Sequence, residues 1–112
     1  MATPVTSIRN IGPATAAAFA RAGVTSAEAV RTLGADAAYA RLLAAGERPH
    51  FIAYYVLVMG LQGRPWNDCR GAEKAALRAR FDALVAAACA RDDGRARLDA
   101  ALDALGVVPR RP

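Results

Sequence analysis

Apolar positions along this chain recur at helical spacing, and nowhere does a run alternate with the period of two that a half-buried strand shows. Ile8 and Ile11 lead into Gly12-Pro13, a flexible residue followed by a proline at a position where a helix's first N–H has no partner anyway. The pattern predicts a nearly all-alanine helix from Pro13 to Ala22. Gly23 stops it in the left-handed conformation, and Val24 folds back on Phe19. Thr25 and Glu28 read as a capping box, T-x-x-E, opening a second helix that runs to Leu33 and stops at Gly34. Asp36 is placed to cap a third helix, Ala37 to Ala45, with Tyr39, Leu42 and Leu43 on its inward face and Gly46 as its stop.

A fourth helix, Pro49 to Gln62, is apolar almost all round, which predicts burial on every side, by the other helices or by a second copy of the chain. Gly60 within it costs about 1 kcal/mol relative to alanine, a cost that close approach of a neighbouring backbone would offset. Gly63-Arg64-Pro65 breaks the chain before Trp66, which reads as a packing anchor over the loop or as a base-stacking surface. A fifth helix, Gly71 to Arg91, carries the stripe Leu77, Phe81, Leu84, Val85 and Ala88. Asp92-Asp93-Gly94 reads as a turn. Asp93 then caps a sixth helix, Arg95 to Leu105, faced by Leu98, Leu102 and Leu105 and stopped by Gly106. Met1–Thr6 and Val107–Pro112 read as tails. The expectation is an all-α fold, a small bundle of five or six helices with an N-terminal helix-hairpin-helix-like unit, forming a single domain over residues 1–112.

The order I-x-x-I-G-P-x-T-A-x-x-F-x-x-A-G-V, followed by T-x-x-E, continues with Leu33-Gly34, Ala38-Tyr39-x-Arg41-Leu42 and Tyr54-x-x-Leu57. Gly63-Arg64, Trp66 and Glu73-Lys74-x-x-Leu77 follow in turn. This succession resembles the C-terminal helical domain of the TfoX/Sxy family of bacterial competence regulators across residues 7–82, leaving 83–106 as additional C-terminal helix. The resemblance implies a non-enzymatic regulator linked to natural transformation, working with the transcription machinery at competence promoters. In that family the domain often follows an N-terminal α/β domain, and here it is expected to stand alone. The segment Asp68-Cys69-Arg70-Gly71 is more polar than the family pattern. A second reading uses the same scaffold as a protein–protein module, a homodimer through the fourth or sixth helix.

Charge adds a candidate partner. The net charge is +5 and the pI about 10.0, a balance that suits phosphates and therefore DNA. Fourteen of the fifteen basic residues are arginine, a bias that GC-rich coding produces without any function. The start of the first helix offers the amides of Gly12, Ala14 and Thr15 to a phosphate, with Arg9 and Arg21 as flanking cations. The alternative is that Gly12-Pro13 only turns the chain. Arg64, Arg70, Lys74 and Arg78 form a second basic stripe, or else a solvated face with i,i+4 pairs such as Arg78–Asp82 and Arg95–Asp99.

Catalysis has thin support. The chain has one histidine, His50, and two cysteines, Cys69 and Cys89, at no metal-type spacing. There is no glycine-rich nucleotide loop and no cluster of carboxylates. No catalytic residue, metal or cofactor is expected. The longest apolar stretch, Phe51 to Leu61, is too short to span a membrane, and no secretory signal precedes the first helix, so a cytoplasmic location is expected.

Overall fold

The structure, a computed structural model, describes the backbone of residues 3–105 and the side chains of residues 3–91. It contains α1 (Pro13–Arg21), α2 (Ala27–Ala44), α3 (Phe51–Leu61) and α4 (Gly71–Leu105), with short 3-10 turns at Val5–Ser7 and Trp66–Asp68. Among the described residues there is no strand. Gly106 and the segment after it lie outside the described residues, as do the side chains of Asp93, Leu98, Leu102 and Leu105 and the Arg95–Asp99 pair.

Four α-helices stand where five or six were expected, for two physical reasons. Gly34, at φ 82° and ψ 165°, stops the first half of α2 as expected, but a second helical half follows across a kink with no loop between them, so the two form one element. Asp36 therefore sits inside α2 and caps nothing. The expected turn at Asp92–Gly94 is absent, and α4 passes straight through it. The alanine, arginine and leucine on either side are strong helix formers, and their preference outweighs the roughly 1 kcal/mol that one glycine costs.

The stop after α1 is as expected. The Gly23 N–H donates to Ala20 O at 3.0 Å and the Val24 N–H to Phe19 O at 2.8 Å, which brings buried Val24 back over buried Phe19. The same pair of bonds closes α2 at Gly46 and Glu47, and α3 at Gly63 and Arg64. The capping box is shifted. Ser26, not Thr25, is the N-cap of α2, and its hydroxyl accepts from Ala29 N. Glu28 accepts instead from the backbone and hydroxyl of Thr3, while Ala27 N donates to Thr3 O. Residues 3–6 are thus tied to α2, and Val5 is buried, where a loose tail was expected.

The packing centres on α3, whose Tyr54, Leu57, Met59 and Gly60 are buried. Ile8 lies against it at Gly60. An aromatic cluster joins it to α2 and α4, with Tyr39 and Tyr54 rings 5.3 Å apart and Phe81 5.5 to 6.0 Å from Phe51, Tyr39 and Tyr54. The Tyr39 hydroxyl accepts from His50 N at 2.9 Å and donates to His50 O, fixing the start of α3 at Phe51, two residues later than expected. One chain covers most of α3, so its apolar girdle does not require a second copy. Ile52 remains 51% exposed, and Trp66 is 53% exposed and not a packing anchor.

Gly60 is the point of closest backbone approach. A β-carbon there would lie 2.1 Å from the carbonyl oxygen of Arg9, an oxygen that cannot move without displacing the turn that holds it. Gly60→Ala is therefore expected to destabilise the protein by at least the 1–3 kcal/mol typical of overpacking. Phe81→Ala, which empties the aromatic cluster, is expected to cost ~3–5 kcal/mol. Chemical denaturation of both variants checks this, and an unchanged midpoint for Gly60→Ala would show that the Arg9 turn does not sit against α3 in solution.

Candidate nucleic-acid interface

The N-terminus of α1 is built by a turn that starts at Ile8. Ile11 N donates to Ile8 O, and Asn10 takes φ 71°, a left-handed conformation that asparagine tolerates better than most residues. The Asn10 side chain donates to Arg64 O at 3.0 Å, which anchors the turn to the end of α3. Gly12 is the extended N-cap of α1, and no side chain caps it. Gly12, Pro13 and Ala14 are exposed, Thr15 is half-buried and Arg9 is exposed in the turn just before. Amides at such an end carry partial positive charge with no intrahelical acceptor.

Arg21 does not belong to this group. It occupies the last turn of α1, about 12 Å along the axis at 1.5 Å per residue, and its guanidinium donates to Glu47 at 3.2 Å. The structure therefore gathers Arg9, Gly12, Ala14 and Thr15 and leaves Arg21 at the opposite end. Each contact of this kind contributes only about 0.3–1 kcal/mol at an exposed helix end.

The second basic stripe is largely engaged within the molecule. Arg64 donates to Asp68 at 2.7 Å, to both oxygens of Glu73 at 2.7 Å and to the Gln62 side chain at 2.7 Å. Its pKa is pushed further up by the hydrogen bonds to Glu73 and Asp68. Glu73 is held below its ordinary range, chiefly by its hydrogen bonds from Arg64. This fork clamps the end of α3 to the start of α4. Lys74 lies 5.4 Å over the Tyr55 ring. Arg78 lies 5.1 Å from Phe51 and 5.4 Å from Phe81, and pairs with Asp82 at 3.1 Å. Of the four, Arg70 alone has neither an ion pair nor a ring contact among the described residues.

Sequence reasoning missed one network. Asp36 accepts from the Tyr54 hydroxyl and from Arg80 Nε and Nη2, the last two at 3.1 and 2.6 Å. Arg80 is 44 residues from Asp36, so no local spacing announces the pair. Burial opposes ionisation of Asp36, but the hydrogen bonds from Arg80 and Tyr54 outweigh it and hold its pKa below the ordinary value. Burial and the Asp36 carboxylate push the Tyr54 hydroxyl well above its usual range.

Among the described residues no hydrogen bond joins His50 to either cysteine. Cys69 is buried, and burial, with Glu73 nearby, raises its pKa, so it is not an acidified thiol. Cys89 is exposed. Among the described residues no group of histidine, cysteine and carboxylate side chains is placed to hold a metal. No helix among them is long and apolar enough to cross a membrane.

The carboxylates make the fold acid-sensitive. Asp36 and Glu73 have folded pKa values below their ordinary values of 3.8 and 4.5. Their stabilising contributions are thus complete above those values and are lost as pH falls through the folded ones. Asp36→Asn is expected to cost roughly 1 kcal/mol at neutral pH, given how exposed the ion pair is. In thermal unfolding, the gap between variant and wild type should close once pH lies well below the carboxylate range. A gap that persists there would assign Asp36 a packing role instead of a charged one.

The TfoX C-terminal domain family model matches residues 1–81. No curated protein and no solved structure matches the chain. The matched span takes in the α1 N-terminus, the Gly60 contact, the Arg64 clamp and the Asp36–Arg80 pair, and on that match the chain belongs to the TfoX C-terminal domain family.

Proposed function

We propose that the chain is a non-enzymatic, cytoplasmic regulatory domain of the TfoX/Sxy competence-regulator type that makes weak, sequence-nonspecific contact with duplex DNA. In this reading α1 and the first half of α2 are the helix-hairpin-helix-like unit, and Arg9, Gly12, Ala14 and Thr15 receive the phosphate. The observation that supports it is the start of α1: no side chain caps it, Gly12 and Ala14 are exposed, and Arg9 precedes them. The transcription machinery is the protein partner class that this reading implies.

With Arg21 tied to Glu47, the site is sized for one or two phosphates. Log affinity against log salt should then have a slope between about −0.9 and −1.8. Between 50 and 200 mM salt the affinity should fall roughly 3- to 12-fold. Arg9→Ala should make the slope shallower by about 0.9 with no change in preferred sequence, while Arg21→Ala should leave it alone. Fluorescence anisotropy with a labelled duplex measures both. Affinity weaker than about millimolar at 50 mM salt would end the DNA reading, since nonspecific binders reach roughly 10⁻⁴–10⁻⁶ M.

The second reading, an interaction or homodimerisation module, is favoured by one observation: Ile52 and Trp66 are large apolar side chains left half exposed. Sedimentation at tens of micromolar, with Ile52→Ser and Trp66→Ser as controls, separates self-association from a monomer that binds DNA.

A further inference from the structure

The break at Gly34 borders a cleft of about 450 Å³ between α2, α3 and α4, whose lining includes no residue of α1. Ala35, Val58 and Leu61 supply its buried and half-buried apolar lining, and Arg31, Gln62 and Arg80 its exposed polar one. The polar groups have donors to spare. Asp36 engages Nε and Nη2 of Arg80, which leaves Nη1 without a partner among the described residues. The Gln62 side-chain oxygen accepts from Arg64 Nη1 at 2.7 Å, which assigns the amide nitrogen as the unengaged end. Arg31 makes no hydrogen bond or ion pair among the described residues. Two smaller clefts, of about 210 and 230 Å³, are lined by Arg48 and by Glu47, the latter engaged by Arg21.

We infer that this cleft binds a small organic carboxylate with an apolar body, the acid group resting on Arg31, Arg80 Nη1 and Gln62 and the apolar body on Val58 and Leu61. A volume in the range of roughly 300–1,000 Å³ and a few polar groups beside apolar ones are features of small-molecule sites. Arginine forks match the planar carboxylate and bind it more strongly than neutral donors do. The occupant would bridge the two halves of α2 and the first third of α4. The inference does not rest on the DNA reading, because none of the α1 residues takes part.

The test is a titration of the full chain with 1-naphthoate, followed by amide chemical shifts in two-dimensional NMR. Neutral 1-naphthylmethanol and inorganic phosphate serve as parallel probes. Saturable shifts centred on Gly34, Ala35 and Gln62, seen with 1-naphthoate and weaker with the other two, are expected. Arg31→Gln changes an exposed side chain and should fold normally. It is expected to weaken 1-naphthoate about tenfold, the equivalent of ~1.4 kcal/mol, whereas Arg41→Gln, also exposed on α2, should have no effect. Equal affinity in Arg31→Gln and wild type would overturn the inference. So would equal binding of the alcohol, shifts centred elsewhere, or no saturation at any soluble concentration.

Discussion

The contact between the Arg9 carbonyl and Gly60 governs how the N-terminal half of this molecule is placed. Any residue other than glycine at position 60 would put a β-carbon within 2.1 Å of that oxygen. Its absence lets the Ile8–Asn10 turn lie directly on α3, where Ile8 is buried and Asn10 donates to the carbonyls of Val56, within that helix, and of Arg64, just beyond it. The direction of α1 follows, because α1 leaves this turn after only two further residues. A glycine that weakens α3 by its intrinsic propensity thereby sets the exposed end of a different helix.

The count of fifteen basic residues overstates what the surface offers to a partner. Arg21, Arg64, Arg78 and Arg80 are paired with carboxylates, and Lys74 and Arg78 also lie against aromatic rings. Their long stems cover the edge of the aromatic cluster while their heads stay in water. Surface pairs of this kind contribute little stability one by one, and each removes a cation from the pool available to phosphates. Among the described residues Arg9, Arg31, Arg41, Arg48, Arg70 and Arg91 remain, spread over the turn before α1, α2, two loops and α4.

The parts of the fold written in short-range spacing were legible in the sequence. The stops at Gly23, Gly46 and Gly63, the inward face of Tyr39 and Leu42, the stripe led by Leu77 and Phe81, and the close approach at Gly60 all follow from local rules. What escaped depends on partners far away in sequence. Glu28 was assigned to a local box, but Thr3 captured it, and the cap passed to Ser26. Asp36 was assigned to a helix end, but Arg80 and Tyr54 took its carboxylate into the space between three helices. The candidate site was half legible. The order Gly12-Pro13-Ala14-Thr15 located a helix start, but the distance between the two ends of α1 separates Arg21 from it, and Glu47 neutralises what remained.

The three helix stops share one geometry, in which two hydrogen bonds closed within six residues turn the chain. Reversals of that kind need no distant contact, and the loops between the helices are short enough that closing them costs little entropy. Such a chain has the low contact order of helical bundles that fold in microseconds to milliseconds. Its barrier is then left to the few pairings that must find each other across the chain. Laying the Arg9 turn on α3 joins residues about fifty positions apart, and it cannot be completed until the helix that receives it has formed.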